Sequence, residues 1–414
     1  MAAFRHQREE KVMIHVAVLG YGTVGSGVVE VIEKNKEQVN KKACAELNVK
    51  YILDIRDFPG DPYEDKVVHD YEVIINDEEV SIICETMGGL RPAYDFTKRA
   101  LLKGKSVCTS NKELVANHGP ELIKIAEENN CNYLFEASVG GGIPIIRPLN
   151  ASLTAEKIEG ITGILNGTTN YILSKMQNEG ADFESVLKLA QEKGYAERNP
   201  EADVEGYDAC RKIAILSSLM LGKNVNYENI YTEGITKITA DDFVYAKAMG
   251  KSIKLLAMSK ATEAGNIAMV SPCMIDSDNP LYMVNGVFNA VLVKGNMLGD
   301  SMYYGRGAGK LPTASAVVSD VIECARNKGR FLPCFWDAED ATLADISEQK
   351  RSFFVRAEKT AAEALKEVFP GGQFVEVEGR DDMGYVTLPI KEKEFASKYA
   401  ALGDKVYGRT RIEE

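Results

Sequence analysis

The chain has 414 residues and carries 49 Lys and Arg against 61 Asp and Glu, a net charge of −12. That length exceeds what one core fills and implies two to three domains; 45% hydrophobic and 27% charged residues exclude a disordered chain. The acidic balance excludes a basic nucleic-acid footprint, and no apolar run reaches the roughly 18 residues of a membrane span.

The start, MAAFRHQREEK, is polar and has no apolar h-region. It reads as a frayed tail, with no secretory signal. VMIHVAVL is then a strand, GYGTVGSG a glycine-rich turn and VVEVIEKNKEQVNKK a helix with a charged outer end. VKYILDI and VSIICETM are strands, PAYDFTKRALLKG a helix ended by Gly, KSVCTS a strand, ELIKIAEENN a helix and CNYLFEA a strand. Strands alternating with helices predict a doubly wound parallel sheet of Rossmann type over about residues 12–148. Within GYGTVG, the first glycine permits a tight turn. The second lets a pyrophosphate approach the backbone, and the third lets helix and strand pack closely. After the second strand, DIRDFPG offers Asp54 to a ribose diol, which suits NAD, and Arg56 to a 2′-phosphate, which suits NADP.

A second, mixed α/β unit is expected over 149–305. AEKIEGITGILNG is β-like; DFESVLKLAQEKG, GYDACRKIAILSSLML and DDFVYAKAMGKSIKLLAMSK have helical patterns; LYMVNGVFNAVLVKG reads as strand and turn. The helix TASAVVSDVIECARN, within about 306–330, is expected to complete the first domain. From 350 to 414 the order βαββαβ predicts a small sheet with helices on one face.

The eight cysteines have no C-x-x-C spacing and read as reduced, buried thiols. The four histidines end at His118, so proton chemistry in the second unit falls to Lys, Asp, Glu, Tyr or Cys. Lys112 follows a strand in CTSNKELVA, where ligands of doubly wound sheets bind. FEASVGGGIPII, with Glu136 before three glycines, suits a hinge, a nucleotide contact or a hard-cation site of carbonyl oxygens. The densest polar cluster, GYAERNPEADVEGYDACRK, places Asp208 and Lys212 one helical turn apart, ahead of an apolar run. Such a pair is either a surface salt bridge or the wall of a cleft where a lysine handles a proton.

GYGTVGSG, TSNKELVA, FEASVGGGIP, ILNGTTNYIL, GYAERNPEADVEGYDACRK and GRGAGKLPTASAVV, in that order, resemble the homoserine dehydrogenase family over about residues 12–330. The resemblance implies interconversion of L-homoserine and L-aspartate 4-semialdehyde with NAD or NADP, with NADP favoured through Arg56. It implies Lys212 as acid–base with Asp208, Lys112 as a second active-site lysine, and substrate contacts at Glu197, Tyr195, Asp203, Asn166, Gly167 and Thr168. Cofactor contacts carry over to Gly20, Gly22, Thr23, Val24, Gly25, Arg56, Thr86, Lys112 and Gly309. A monovalent cation, Na or K, carries over to Glu136, Val139, Gly141 and Ile143. A cytoplasmic homo-oligomer, dimer or tetramer, is expected, with no nucleic-acid or membrane partner. The tail resembles an ACT-type module. It has AEKTAAEAL where ligand-binding examples carry an acidic residue followed by Pro-Gly, so assembly is favoured over threonine feedback. Other readings are a dehydrogenase of another small amino-acid alcohol and a non-catalytic nicotinamide sensor; a kinase-fused form is not expected.

Overall fold

The computed structural model describes residues 12–413; MAAFRHQREEK, expected to fray, lies outside them. Residues 12–153, 222–224 and 308–339 form one compact unit, and Thr154–Leu221, Val225–Gly307 and 340–413 form a second.

In the first unit, strands β1 (Met13–Leu19), β2 (Glu46–Leu53), β3 (Val67–Val68), β4 (Val80–Glu85), β5 (Ser106–Thr109) and β6 (Tyr133–Leu134) make a parallel sheet in the order 3-2-1-4-5-6. The order reverses between β1 and β4, which opens a crevice at the carboxyl ends of those strands. Helices α1 (Thr23–Lys34), α2 (Lys36–Ala43), α3 (Tyr71–Ile75), α4 (Ala93–Leu102) and α5 (Lys112–Glu128) accompany the sheet. Strands covered on both faces read as unbroken apolar runs, which is why β1 and β4 are nearly all buried. The one long helix expected after the glycine turn is instead two, α1 and α2, parted at Asn35.

The second unit begins with β7 (Ile158–Ile164), α6 (Gly167–Glu179), α7 (Phe183–Glu192), α8 (Glu201–Val204) and α9 (Tyr207–Leu221). The short strand β8 (Lys223–Asn224) intervenes, followed by β9 (Tyr231–Thr232), α10 (Ala240–Ala248), β10 (Ser252–Thr262), β11 (Gly265–Ile275), β12 (Phe288–Gly295) and β13 (Gly299–Arg306). The helical pattern read over DDFVYAKAMGKSIKLLAMSK breaks into α10 and β10. Gly250, at φ +69°, turns the chain between them. The first eight residues of β10 are buried, and a buried apolar strand carries no period that separates it from a buried helix.

Helix α11 (Lys310–Arg326) and β14 (Asp337–Asp340), which pairs with β8, follow. α11 packs against α1 of the first unit: a Cβ on Gly27 would stand 2.8 Å from the Lys310 carbonyl and 2.9 Å from Ala314 Cβ. The tail then runs β15 (Lys350–Glu358), α12 (Ala362–Val368), β16 (Gln373–Val375), β17 (Asp382–Val386), the short β18 (Ile390–Lys391), α13 (Glu392–Ala400) and β19 (Val406–Glu413), a βαββαβ order. It has its own core of Phe353, Val355, Leu365, Phe369, Tyr385 and Phe395. The Phe353 and Phe395 rings stack at 3.7 Å.

The tail strands join the central ones in a single sheet of order β13-β12-β7-β10-β11-β19-β15-β17-β16. β19 lies parallel to β11 on one side and antiparallel to β15 on the other. Arg411 of β19 is 2% exposed. It grips Glu392 through two bonds, Nε–Oε1 at 3.0 Å and Nη2–Oε2 at 2.7 Å, reaches Ser271 Oγ at 2.8 Å, and pairs with Glu233. Removing one member of a buried ion cluster strands the others in low dielectric. Arg411→Ala is therefore expected to lower unfolding free energy by about 3–5 kcal/mol in denaturant titration. A loss below about 1 kcal/mol, the scale of an exposed pair, would contradict this role.

Candidate active site

The three glycines of the first turn differ physically. Gly20 adopts φ +89°, and its N–H donates to the Leu53 carbonyl at 2.7 Å. A Cβ on Gly25 would stand 1.8 Å from the Gly20 carbonyl oxygen, so this position admits no side chain. A Cβ on Gly22 would meet nothing within 4 Å. Gly22 also caps α1 without a side-chain bond, so no side chain of the cap satisfies the amides of the helix that Thr23 and Val24 begin. This cradle suits a pyrophosphate. Thr86 Oγ1 donates to the carbonyls of Leu19 and Gly20, each at 2.9 Å, and so fixes the turn. Gly309, at φ +122°, caps α11, and the Gly27–Lys310 approach brings that helix start against the first turns of α1.

At the end of β2, Asp54 and Arg56 form a two-bond pair, Nε–Oδ1 and Nη2–Oδ2, both 2.9 Å. The Tyr21 amide donates to Asp54 Oδ2 at 2.7 Å. The Arg56 guanidinium, followed by the Tyr21 amide bond, holds the Asp54 carboxyl well below the usual range against its own burial. Asp54 is inward and Arg56 is 58% exposed, lying 5.0 Å over the Phe58 ring.

Lys112 is the first residue of α5 and half-buried; Asn111 before it caps the helix by accepting from the Leu114 amide at 3.1 Å. Asn111 also donates to the Gly89 carbonyl at 2.7 Å. The sequence reading missed Glu85, a fully buried carboxyl at the end of β4. It accepts from Thr109 Oγ1 at 2.6 Å and the Met87 amide at 2.8 Å, and burial pushes its pKa up against those bonds. A single acid within the apolar run VSIICETM was the available signal.

The loop after β6 is organised by carboxylates. Glu136 Oε1 accepts from the amides of Ile145 (2.6 Å) and Ile146 (2.8 Å), and Oε2 from the Arg147 amide (2.8 Å). Gly141 is at φ +56°, and the Ile143 amide donates to the Gly140 carbonyl at 2.9 Å. Asp320 of α11 accepts from the Glu136 amide at 2.9 Å and from Arg147 Nη2 at 2.6 Å. Burial first, and the Glu136 charge second, raise the Asp320 pKa to about 7 while Arg147 opposes the shift. Among the described residues no three His, Cys, Asp or Glu side chains cluster as metal ligands. All eight cysteines are free; Cys44 is exposed, Cys334 partly so, and the other six are buried.

In the second unit, the cluster at 195–212 folds back onto the start of α6. Lys212 Nζ lies 2.8 Å from Asp208 Oδ2 and donates to the Leu165 carbonyl at 2.8 Å. The two side chains are 11% and 7% exposed, so this is no surface salt bridge. Asn166 donates to Asp203 Oδ1 at 2.7 Å and Asp208 Oδ2 at 2.9 Å, while its own Oδ1 caps α6 by accepting from the Thr169 amide at 2.9 Å. A Cβ on Gly167 would stand 2.9 Å from the Val287 carbonyl. Thr168 Oγ1 donates to the Tyr195 carbonyl at 2.5 Å, and the Tyr171 and Tyr195 rings meet edge-on at 5.0 Å. Glu197 is exposed and its carboxylate forms no ion pair among the described residues. Leu165, whose carbonyl completes the lysine's seat, was not foreseen: a main-chain acceptor leaves no residue-type signal.

Two family models match the chain: "Homoserine dehydrogenase, NAD binding domain" over residues 20–136 and "Homoserine dehydrogenase" over residues 144–322. A homoserine dehydrogenase of Synechocystis is 46% identical over 317 residues, 75% of this chain and 72% of that protein. One from Helicobacter pylori is 41% identical over 348 residues, 84% and 82% of the two chains. The crystal structure of a homoserine dehydrogenase from Thiobacillus denitrificans superposes with a TM-score of 0.88 at 35% identity, covering 98% of this chain and 99% of that one. The chain belongs to the homoserine dehydrogenase family. It is thus an NAD(P)-dependent oxidoreductase, with a Rossmann cofactor domain, a mixed α/β catalytic segment and an ACT-like βαββαβ tail. A hyperthermophilic archaeal homoserine dehydrogenase solved in complex with NADPH matches at TM-score 0.63 and 28% identity, over 76% of this chain and 98% of its own. No helix among the described residues is long and apolar enough to cross a membrane.

The raised pKa of Asp320 has a definite sign in stability. An unfolded aspartate ionises near its ordinary value of 3.8, whereas folded Asp320 keeps its proton to about 7. Between those pH values the folded state binds more protons, so this group's contribution falls as pH rises through the window. Asp320→Asn carries no such ionisation. The deficit in Tm of the variant relative to the parent is expected to shrink steadily from pH 4 to pH 7. A difference that is flat with pH would show that Asp320 ionises normally.

Proposed function

We propose that Lys212 gives the proton to the carbonyl oxygen of L-aspartate 4-semialdehyde as that carbon is reduced, and takes it back when L-homoserine is oxidised. The observation that carries this reading is the buried seat of its amine, 2.8 Å from one carboxylate and 2.8 Å from one carbonyl. An ammonium has three donors, and two are directed at protein acceptors. Asp208 fixes the direction of the amine; Asn166 holds Asp208 and Asp203 together. Glu197, Asp203 and Tyr195 receive the substrate's ammonium end, and Gly167 and Thr168 form the adjoining wall. Lys112, at the start of α5, orients substrate or cofactor. The nicotinamide supplies the hydride in reduction and accepts it in oxidation.

The glycine cradle and the starts of α1 and α11 bind the dinucleotide through Gly20, Gly22, Thr23, Val24, Gly25, Thr86 and Gly309. NADP is favoured over NAD. Both Asp54 oxygens already accept bonds, which leaves little for a ribose diol, while Arg56 presents an exposed guanidinium. A monovalent cation, Na or K, fits the loop through oxygens of Glu136, Val139, Gly141 and Ile143. The Glu136 carboxylate is occupied by three amides, so neutral main-chain carbonyls would hold the ion. The protein acts as a cytoplasmic homo-oligomer, and its tail serves assembly.

Lys212→Ala is expected to lower kcat by about 10²-fold or more, the scale of lost acid–base catalysis, with folded protein by circular dichroism. Near-normal turnover would remove Lys212 from the proton path. Initial rates on L-homoserine with NADP and with NAD test the cofactor reading. Arg56→Ala should raise KM for NADP roughly tenfold or more, the worth of a charged hydrogen bond, and leave KM for NAD nearly unchanged. Equal effects on both would overturn the assignment of Arg56 to the 2′-phosphate.

A further inference from the structure

Helix α6 is docked in the second unit through a polar stripe. Gly167, Asn170, Ser174 and Gln177 recur at helical spacing and so share one face. Asn170 Nδ2 donates to the Val284 carbonyl at 3.2 Å and to the Phe288 carbonyl at 2.9 Å. Ser174 Oγ accepts from the Gly286 amide at 3.0 Å, and Gln177 Oε1 accepts from Ser252 Oγ of β10 at 2.6 Å. Gly167 completes the stripe, because the Val287 carbonyl leaves no room for a Cβ there. The segment 284–288 is thus fitted along the helix. Apolar packing alone would let α6 slide or turn; hydrogen bonds weaken steeply with misalignment and fix its register.

Lys254 of β10 reaches the same segment from the sheet. Its Nζ donates to the Val284 carbonyl at 2.7 Å and to Asn285 Oδ1 at 2.8 Å. The Val284 carbonyl is therefore held from two sides, by Asn170 and by Lys254. Lys254 is 1% exposed and forms no ion pair among the described residues. Burial alone pushes its amine down to about 8, with no charged neighbour opposing the shift. Taking an ammonium out of water without a counter-ion is costly, and a methionine would fill similar space without that cost. What the lysine adds is a strong, directed bond to one carbonyl.

We infer that Lys254 is a positioning residue for the reaction: by holding the 284–288 segment against α6 it places Asn166, Gly167 and Thr168 at the start of that helix, and through Asn166 the seat of Lys212. The inference rests on the roles given above to Lys212 and to the Gly167–Thr168 wall. It assigns work to a buried charge that touches neither substrate nor cofactor.

Steady-state kinetics of L-homoserine oxidation by the full chain test this, with folded sites counted by NADPH binding. Lys254→Met should fold, keep KM for NADP within about twofold of the parent, and lower kcat per site roughly tenfold, the worth of a lost charged hydrogen bond. Asn170→Ala removes the other donor to Val284 and should show the same split, so the test stands even where Lys254→Met fails to fold. The double variant should fall no more than about threefold below the slower single, because both bonds act through one segment. A merely structural lysine would change Tm and the yield of folded sites and leave kcat per site intact. Near-normal kcat in folded Lys254→Met or in Asn170→Ala, a KM for NADP that moves with kcat, or a multiplicative fall of about 100-fold in the double variant would each overturn the inference. The two readings fail separately. A fast Lys212→Ala overturns the acid–base role, whereas a slow Lys212→Ala beside a fast Lys254→Met overturns this one.

Discussion

The ion pair between Lys212 and Asp208 is the constraint on which the catalytic segment depends. Burying either charge alone costs several kcal/mol, and the pair is tolerated only because its remaining hydrogen-bonding capacity is met. Asn166 and the Leu165 carbonyl do this from the end of β7 and the start of α6. The same bonds therefore position α9 against the β7–α6 turn and hold an amine in one place. Precision of this kind is what proton transfer to a small carbonyl requires. A lysine in water would carry the same charge without the same direction.

The cofactor unit solves the complementary problem of holding a large anion. Close packing at Gly25 and Gly27 lets α1 lie against both the β1 turn and α11, while open space at Gly22 leaves room for phosphates. Thr86 locks the turn from β4, and buried Glu85 organises the loop beyond it. At the rim Asp54 and Arg56 oppose each other. Asp54 faces inward to the Tyr21 amide and Arg56 faces outward. The geometry converts an ambiguous pair of residue types into an asymmetric one.

Much of the fold was legible because its signals are local. The parallel sheet follows from apolar runs separated by helices, and the glycine turn from spacing in context. The cluster at 195–212 was legible as a polar patch directly ahead of an apolar helix. What the sequence hid was long-range or backbone-borne. Asn166 joins residues 37 and 42 positions away, and Leu165 contributes only a carbonyl. Asp320 reaches the Glu136 loop from 184 positions on. β10 imitated a helix because burial on both faces erases alternation, and only Gly250 marked the boundary. The tail's union with the central sheet depends on β19 pairing with two strands, a register that no single segment encodes.

The most direct test of the account is a crystal structure with L-homoserine and NADPH bound together, a pair that cannot react. The substrate hydroxyl oxygen should lie about 2.6–3.2 Å from Lys212 Nζ, with the carbon bearing it facing the nicotinamide C4. A bound substrate whose hydroxyl lies beyond hydrogen-bonding reach of Nζ, while its carbon still faces the nicotinamide, would contradict the central role given to that amine.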